Sequence, residues 1–217
     1  MEYISSSVKR HNKILYIVAV LLAIAIIYCE LNKLRGSLPS AVGYIEKLTY
    51  SGYISIYLFV IVMFMGTMSR KISLTKYFMK IRAELAIIAS VLIVPHIYIH
   101  GMKLILALMG SKTLTTDRII YSIAGVIALV IMIPLFITSF NFVKRKLRGG
   151  MWKKIQRWSY AFYGLIYIHI LFAYLNEKVM DIKNITILSV VFGAYTVLRI
   201  MKAFSEKSKR KTHLYKY

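Results

Sequence analysis

Six apolar runs dominate the sequence, and crossing about 30 Å of hydrocarbon takes roughly 20 helical residues. The runs are Ile14–Cys29, Gly52–Met68, Leu85–Met102, Ile119–Phe142, Trp158–Leu175 and Ile185–Met201. At 59% hydrophobic and 18% charged residues, the 217-residue chain is too apolar for an ordinary soluble domain of this length. Isolated Ser, Thr and Gly positions inside the runs suit membrane helices, where small residues permit close approach. The expectation is an all-α membrane protein, one transmembrane domain over residues 1–217 built as a six-transmembrane-helix bundle.

The net charge of +22 would point to nucleic acid in a soluble protein. Here the basic residues stand in clusters between the apolar runs, and topology accounts for them instead; no nucleic-acid partner is expected. The N-terminus, the second and fourth connections and the C-terminus carry 22 of the 30 basic residues, including Arg70 and Lys71, Arg145 and Arg148, and Lys153 and Arg157. The alternate segments carry Lys33, Arg35, Lys47, Lys103, Lys112, Arg118, Lys178 and Lys183 with five of the eight acids. By the positive-inside rule both termini are cytoplasmic, in a multi-pass protein of the plasma or inner membrane. The basic clusters also suit anionic lipid head groups, and equally a docking surface for an anionic cofactor or an acidic redox partner.

Lys9, Arg10 and Lys13 precede the first run in the manner of a secretory signal, but the run ends in Tyr28-Cys29-Glu30 without a small-x-small cleavage pattern. It reads as an uncleaved span. Cys29 is the single cysteine, which excludes an intrachain disulfide and thiolate clusters of the zinc or iron-sulfur type. Any metal must rest on histidine. No nucleophile-base motif or phosphate-binding glycine loop is present, and no soluble domain or internal repeat is evident, so the chemistry lies within the bilayer, at its surfaces or on a partner.

Of the five histidines, His11 and His213 lie in the polar ends, and His96, His100 and His169 lie inside apolar runs. Ionisable groups in membrane helices are costly and mark function or an interior face. His96 lies roughly 21 Å along its helix axis from Arg82, and His169 roughly 18 Å from Arg157, at 1.5 Å per residue. The two side chains therefore sit at nearly the same depth on parallel helices, the geometry for two imidazoles ligating one haem iron. His100 follows on the same face one turn outward, and is placed to bond a haem propionate, to replace His96 as ligand, or to serve a second redox site. Pro95 removes a backbone hydrogen bond beside His96 and should bend the helix there. Packed histidines that simply bond a neighbouring helix are the competing reading. The aromatic residues of the fifth run, Trp158, Tyr160, Phe162, Tyr163 and Tyr167, suit a porphyrin or flavin pocket, and equally interfacial belts and packing.

Over roughly residues 40–200 the order of features resembles the haem-binding membrane subunits of bacterial methionine sulfoxide reductase systems, the MsrQ/YedZ family, within the ferric-reductase-like transmembrane domains. Ser51-Gly52-Tyr53 and Met68-Ser69-Arg70-Lys71 look like that family's Thr-Gly opening and Thr-Pro-Leu-Arg-Arg close of a span. Arg82-Ala83-Glu84-Leu85-Ala86-Ile87, running on to His96, is similar to its Arg-Arg-x-Leu-Gly-Leu helix. Thr138-Ser139, Lys144-Arg145-Lys146-Leu147-Arg148, Trp152-Lys153-Lys154-Ile155-Gln156-Arg157 and His169 look like its Thr-Ser, Arg-x-Leu-Gly, Trp-x-x-Leu-His-Arg and later histidine. Gln156 stands where the family has the first of two histidines in this helix. The resemblance therefore implies one outer haem b, with His96 and His169 as iron ligands, and not an inner second one.

The expected function is transmembrane electron transfer by a haem-containing oxidoreductase subunit, from a cytosolic flavin or quinol donor, through a separate flavin reductase where one serves, to an extracytoplasmic acceptor. A flavin, FMN or FAD, held near the fourth connection with Arg145, Arg148, Lys153 and Arg157 facing its phosphate would shorten the gap to a single outer haem. The alternatives are a proton or cation transporter using His96, His100 and His169, and a scaffold subunit without chemistry of its own.

Overall fold

A computed structural model describes residues 2–34, 39–68, 73–110, 113–176 and 182–214. Of the charged residues that set the expected orientation, Arg35, Arg70, Lys71, Lys112, Glu177, Lys178, Asp181 and Lys216 lie outside the described residues, as does Ser69 of the family-like span close. Every regular element among the described residues is a helix: α1 (Glu2–Leu31), α2 (Ser40–Tyr50), α3 (Tyr53–Met65), α4 (Ser73–Leu92), α5 (Val94–Met109), α6 (Thr116–Ser139), α7 (Asn141–Lys146), α8 (Gly149–Arg157), α9 (Ser159–Leu175) and α10 (Ile182–Leu214).

Among the described residues, five stretches are long and apolar enough to cross a membrane: Lys13–Leu31, Ile81–Met109, Thr116–Ser139, Gly149–Leu175 and Ile182–Lys207. The pair α2 and α3 makes a sixth if its two arms, bent by 61°, count as one span. The protein is thus a multi-pass helical membrane protein. Its outward surface is apolar, with Ile17, Leu21, Ile24, Val130 and Val190 among the exposed side chains, as contact with lipid requires. Small residues fill the contacts between helices. Ala19 and Ala23 are buried on one face of α1, which packs on α4 and α5, and Ala124 and Ala128 on one face of α6, whose most extensive contact is with α9.

Several expected boundaries change. The second span does not start at Gly52: a helix precedes it from Ser40, and Glu46 within that helix is buried rather than in an open connection. The break between its arms follows from Gly52, whose φ of +83° is a left-handed conformation that ends α2 and starts α3. The third span reaches from Ile81 to Met109, and at Pro95 the chain stays helical, with only a one-residue interruption at Ile93 where the Ile93 N–H still bonds the Ala89 carbonyl. The fourth span ends at Ser139 rather than Phe142, because Phe140 is extended.

The fourth connection, expected as a loop, is helical. Helices α7 and α8 fold across the end of α6, where the last turn of a helix leaves carbonyls without intrahelical partners. Trp152 Nε1–H donates to the Thr138 carbonyl at 3.1 Å, and the Gln156 amide donates to the Thr138 hydroxyl at 2.9 Å. That hydroxyl in turn donates to the Pro134 carbonyl at 2.6 Å.

Candidate redox site

Two glycines decide where the intramembrane histidines go. The break at Gly52 turns the end of α2 toward α5, and His96 Nδ1 lies 3.1 Å from the Tyr50 carbonyl there. A Cβ on Gly52 would stand 3.2 Å from that same nitrogen, so the imidazole occupies the space a side chain would need. On the other side, His169 Nδ1 lies 2.8 Å from the Tyr121 carbonyl of α6. In a helix the side chain at i+4 leans back over the carbonyl of residue i, and here position i+4 is Gly125. A Cβ on Gly125 would fall 2.8 Å from His169 Nδ1 and 3.0 Å from Cε1. The missing side chain is what opens the Tyr121 carbonyl to a second donor.

A carbonyl only accepts, so each Nδ1 carries the proton and each neutral ring presents its lone pair at Nε2. This is the arrangement in which metal-binding imidazoles are held, with the far N–H fixed by a backbone carbonyl. The His96 and His169 rings stand 6.0 Å apart between centres and nearly perpendicular, at 85°. The expected depth match is therefore realised by rings from α5 and α9. His100 lies 4.5 Å from His96, exposed and stacked parallel on Tyr50 at 6.0 Å. All three histidines line one cavity of about 530 Å³, of a size that takes a cofactor. Its walls include Phe59, Leu129, Met132 and Ile166, and Lys103 and Arg118 bring cations to it from the second half of α5 and the first turn of α6.

Those residues fit a haem. Two imidazoles sharing one metal ion through bonds of about 2 Å bring their ring centres to about 6 Å apart. Among the described residues no group of three His, Cys, Asp or Glu side chains is close enough to hold a bare metal ion. A pair of imidazoles suits a metal whose remaining ligands come from a macrocycle. Arg118 and Lys103 are suited to carboxylates such as haem propionates.

The four basic residues expected to face a flavin phosphate, Arg145, Arg148, Lys153 and Arg157, are all exposed on or beside α7 and α8, and none lines this cavity or the next. A second cavity of about 380 Å³ lies beneath those helices, and its cations are Arg82 and Lys144. Of the five aromatic residues expected there, Trp158, Tyr160, Phe162, Tyr163 and Tyr167, only Phe162 lines either cavity. Tyr163 and Tyr167 pack on Phe192, at 4.1 and 5.3 Å between ring centres, and Trp158 and Tyr160 are exposed. Lys103, Arg118 and the Tyr50 and Tyr121 carbonyls are contributors that sequence reasoning did not assign. A glycine in an apolar run four residues after a carbonyl was the available signal.

A family model described as the ferric reductase like transmembrane component matches residues 51–167, a stretch that contains His96 and stops two residues short of His169. An uncharacterized protein of Treponema pallidum (strain Nichols) is 33% identical over 134 residues, which cover 59% of this chain. The match spans only 37% of that relative's length. No solved structure matches. With the family model covering more than half its length, including α3 and one of the two facing histidines, the chain belongs to the ferric reductase-like transmembrane family.

Proposed function

We propose that the protein moves electrons across its membrane through one haem b held between His96 and His169, as a six-span bundle with both termini in the cytoplasm. A cytosolic flavin or quinol supplies the electrons, and an acceptor on the far side takes them. The observation that carries this reading is the pair of imidazoles 6.0 Å apart, each with its Nδ1–H on a backbone carbonyl of a third and a fourth helix. When bound, the haem iron supplies the one-electron redox change. The chain's own residues do the rest. Tyr50 and Tyr121 hold the two rings in one tautomer, Phe59, Leu129, Met132 and Ile166 keep water from the cavity, and Lys103 and Arg118 offset carboxylate charge at its edge.

The test is a reduced-minus-oxidised absorption spectrum of detergent-purified protein from a haem-sufficient host, beside His96→Ala, His100→Ala and His169→Ala. A b-type spectrum is expected for the parent and His100→Ala and not for the other two. A parent that holds no haem refutes the reading, and leaves ion coupling or helix packing to account for the histidines. Loss in His100→Ala with retention in His96→Ala would transfer the ligand role to His100.

A further inference from the structure

Helix α9 carries His169 toward the cavity, and its basic end carries a different arrangement on the face turned to lipid. Tyr160 is exposed in the first turn of α9, and the guanidinium carbon of Arg199 on α10 lies 5.0 Å from the centre of the Tyr160 ring. Exposed Trp158 stands beside them, so the pair lies at the depth of an interfacial aromatic belt. Arg199 belongs to the run Val197-Leu198-Arg199-Ile200-Met201, whose four apolar members are all exposed. A guanidinium among lipid-facing side chains is costly unless it reaches an anion at the membrane surface.

The surrounding helices supply no such anion. Helices α3, α7, α8 and α9 contain no Asp or Glu, and the one acid of α10, Glu206, lies roughly 10 Å beyond Arg199 at 1.5 Å per residue. One turn along α10, Lys202 donates to the Gly66 and Met68 carbonyls at 2.8 and 3.1 Å, which fixes a second positive charge beside Arg199. A ring against one face of a guanidinium leaves its N–H edge for hydrogen bonds, and that edge matches two oxygens of a phosphodiester. A head group that also bears an ammonium would meet Arg199 and Lys202 with no carboxylate to receive it, whereas one charged only at phosphate is drawn to both.

Next to this cationic end, α9 offers a seat for hydrocarbon. Gly164 follows Tyr160 by one turn and Ile168 follows Gly164 by another, so the three share a face, and all are exposed. A Cβ on Gly164 would meet open space, which makes this face a shallow channel between Tyr160 and Ile168.

We propose that the face formed by Tyr160, Gly164 and Arg199 binds one anionic phospholipid, its phosphate on Arg199 beside Lys202 and an acyl chain along Gly164 and Ile168. None of Tyr160, Gly164, Ile168 and Arg199 lines either cavity, so the site is separate from the histidine pair and its occupancy does not depend on haem. A lipid held there bridges the basic ends of α9 and α10 and stabilises the helix that carries His169.

The experiment is native mass spectrometry of purified full-length protein titrated with dioleoyl phosphatidylglycerol, and with phosphatidylcholine and phosphatidylethanolamine of the same chains. The parent is compared with Arg199→Gln, Gly164→Phe and Lys154→Gln; Lys154 is exposed on α8 and reports the diffuse attraction of the basic end. Parent and Lys154→Gln should bind the first phosphatidylglycerol about tenfold or more tighter than either zwitterionic lipid, as a charge-assisted phosphate contact does. Arg199→Gln should lose that preference. Gly164→Phe, which fills the channel, should weaken phosphatidylglycerol binding while the lipid-free protein keeps the parent's melting temperature. Equal binding of phosphatidylglycerol and phosphatidylcholine to the parent would overturn the proposal. So would a preference unchanged in Arg199→Gln, one lowered as much by Lys154→Gln as by Arg199→Gln, or displacement of the lipid by inorganic phosphate.

Discussion

Replacing Gly125 by alanine tests the histidine geometry at its tightest point. The new Cβ would stand 2.8 Å from His169 Nδ1, where an ordinary contact needs about 3.5 Å, so the ring must withdraw from α6 by about 0.7 Å. The same movement lengthens the 2.8 Å hydrogen bond to the Tyr121 carbonyl to about 3.5 Å, beyond useful range. Overpacking costs about 1–3 kcal/mol and an unpaired buried N–H another 1–3 or so. Alanine recovers about 1 kcal/mol of helix preference over glycine, leaving a net loss of about 1–5 kcal/mol. With its orienting partner gone, His169 should hold haem about 10–100-fold more weakly. The assay is haem per chain, from the reduced-minus-oxidised spectrum at limiting haem, with Gly164→Ala as control because a Cβ there meets open space. Equal occupancy in Gly125→Ala and Gly164→Ala would refute the claim that the missing side chain seats His169.

Gly52→Ala should fail twice, through a left-handed φ that costs about 1–2 kcal/mol and through contacts of 3.1–3.3 Å with Ile93 and His96. Gly52→Asn tolerates the conformation but keeps the contacts, so haem occupancy should stay low in both; full recovery with asparagine would assign the whole effect to the turn. Thr138→Val removes the acceptor of Gln156 without changing volume, and should lower the melting temperature of the detergent-solubilised protein by about 2–5 °C through undocking of α8. An unchanged melting temperature would mean that Trp152 alone fastens that helix.

The apolar runs made the spans legible because length and hydropathy act one residue at a time. The boundaries that moved are those set by contacts between segments. Glu46 and Lys47 read as a connection, and only packing shows that Glu46 is buried in a helix. The basic fourth connection read as a loop because its charges hide two short helices that rest on α6 through Trp152 and Gln156. The meeting of His96 and His169 was legible from counting turns, since parallel helices of similar entry depth preserve level. Which basic residues of the fourth connection line a cavity was not, because exposure depends on which face of α7 and α8 meets the bundle: Lys144 lines the second cavity, and its neighbour Arg145 does not.

What orients the two imidazoles is backbone, and this has a consequence for how such a site tolerates change. A side-chain partner such as a carboxylate can be read from sequence and is lost by one substitution. A carbonyl partner survives substitution at its own residue, so Tyr50 and Tyr121 can vary in side chain while still holding the rings. The constraint passes instead to the residues that expose those carbonyls. Gly52 exposes one by breaking a span, and Gly125 exposes the other by leaving a gap in an unbroken helix. The two devices differ in their energetics. At Gly52 backbone conformation and space both forbid a side chain, whereas at Gly125 only space does, and a withdrawal of His169 by under an ångström relieves it. Substitution at Gly125 should therefore perturb the seating of His169 while leaving the bundle folded, and substitution at Gly52 should disturb the turn between α2 and α3 as well.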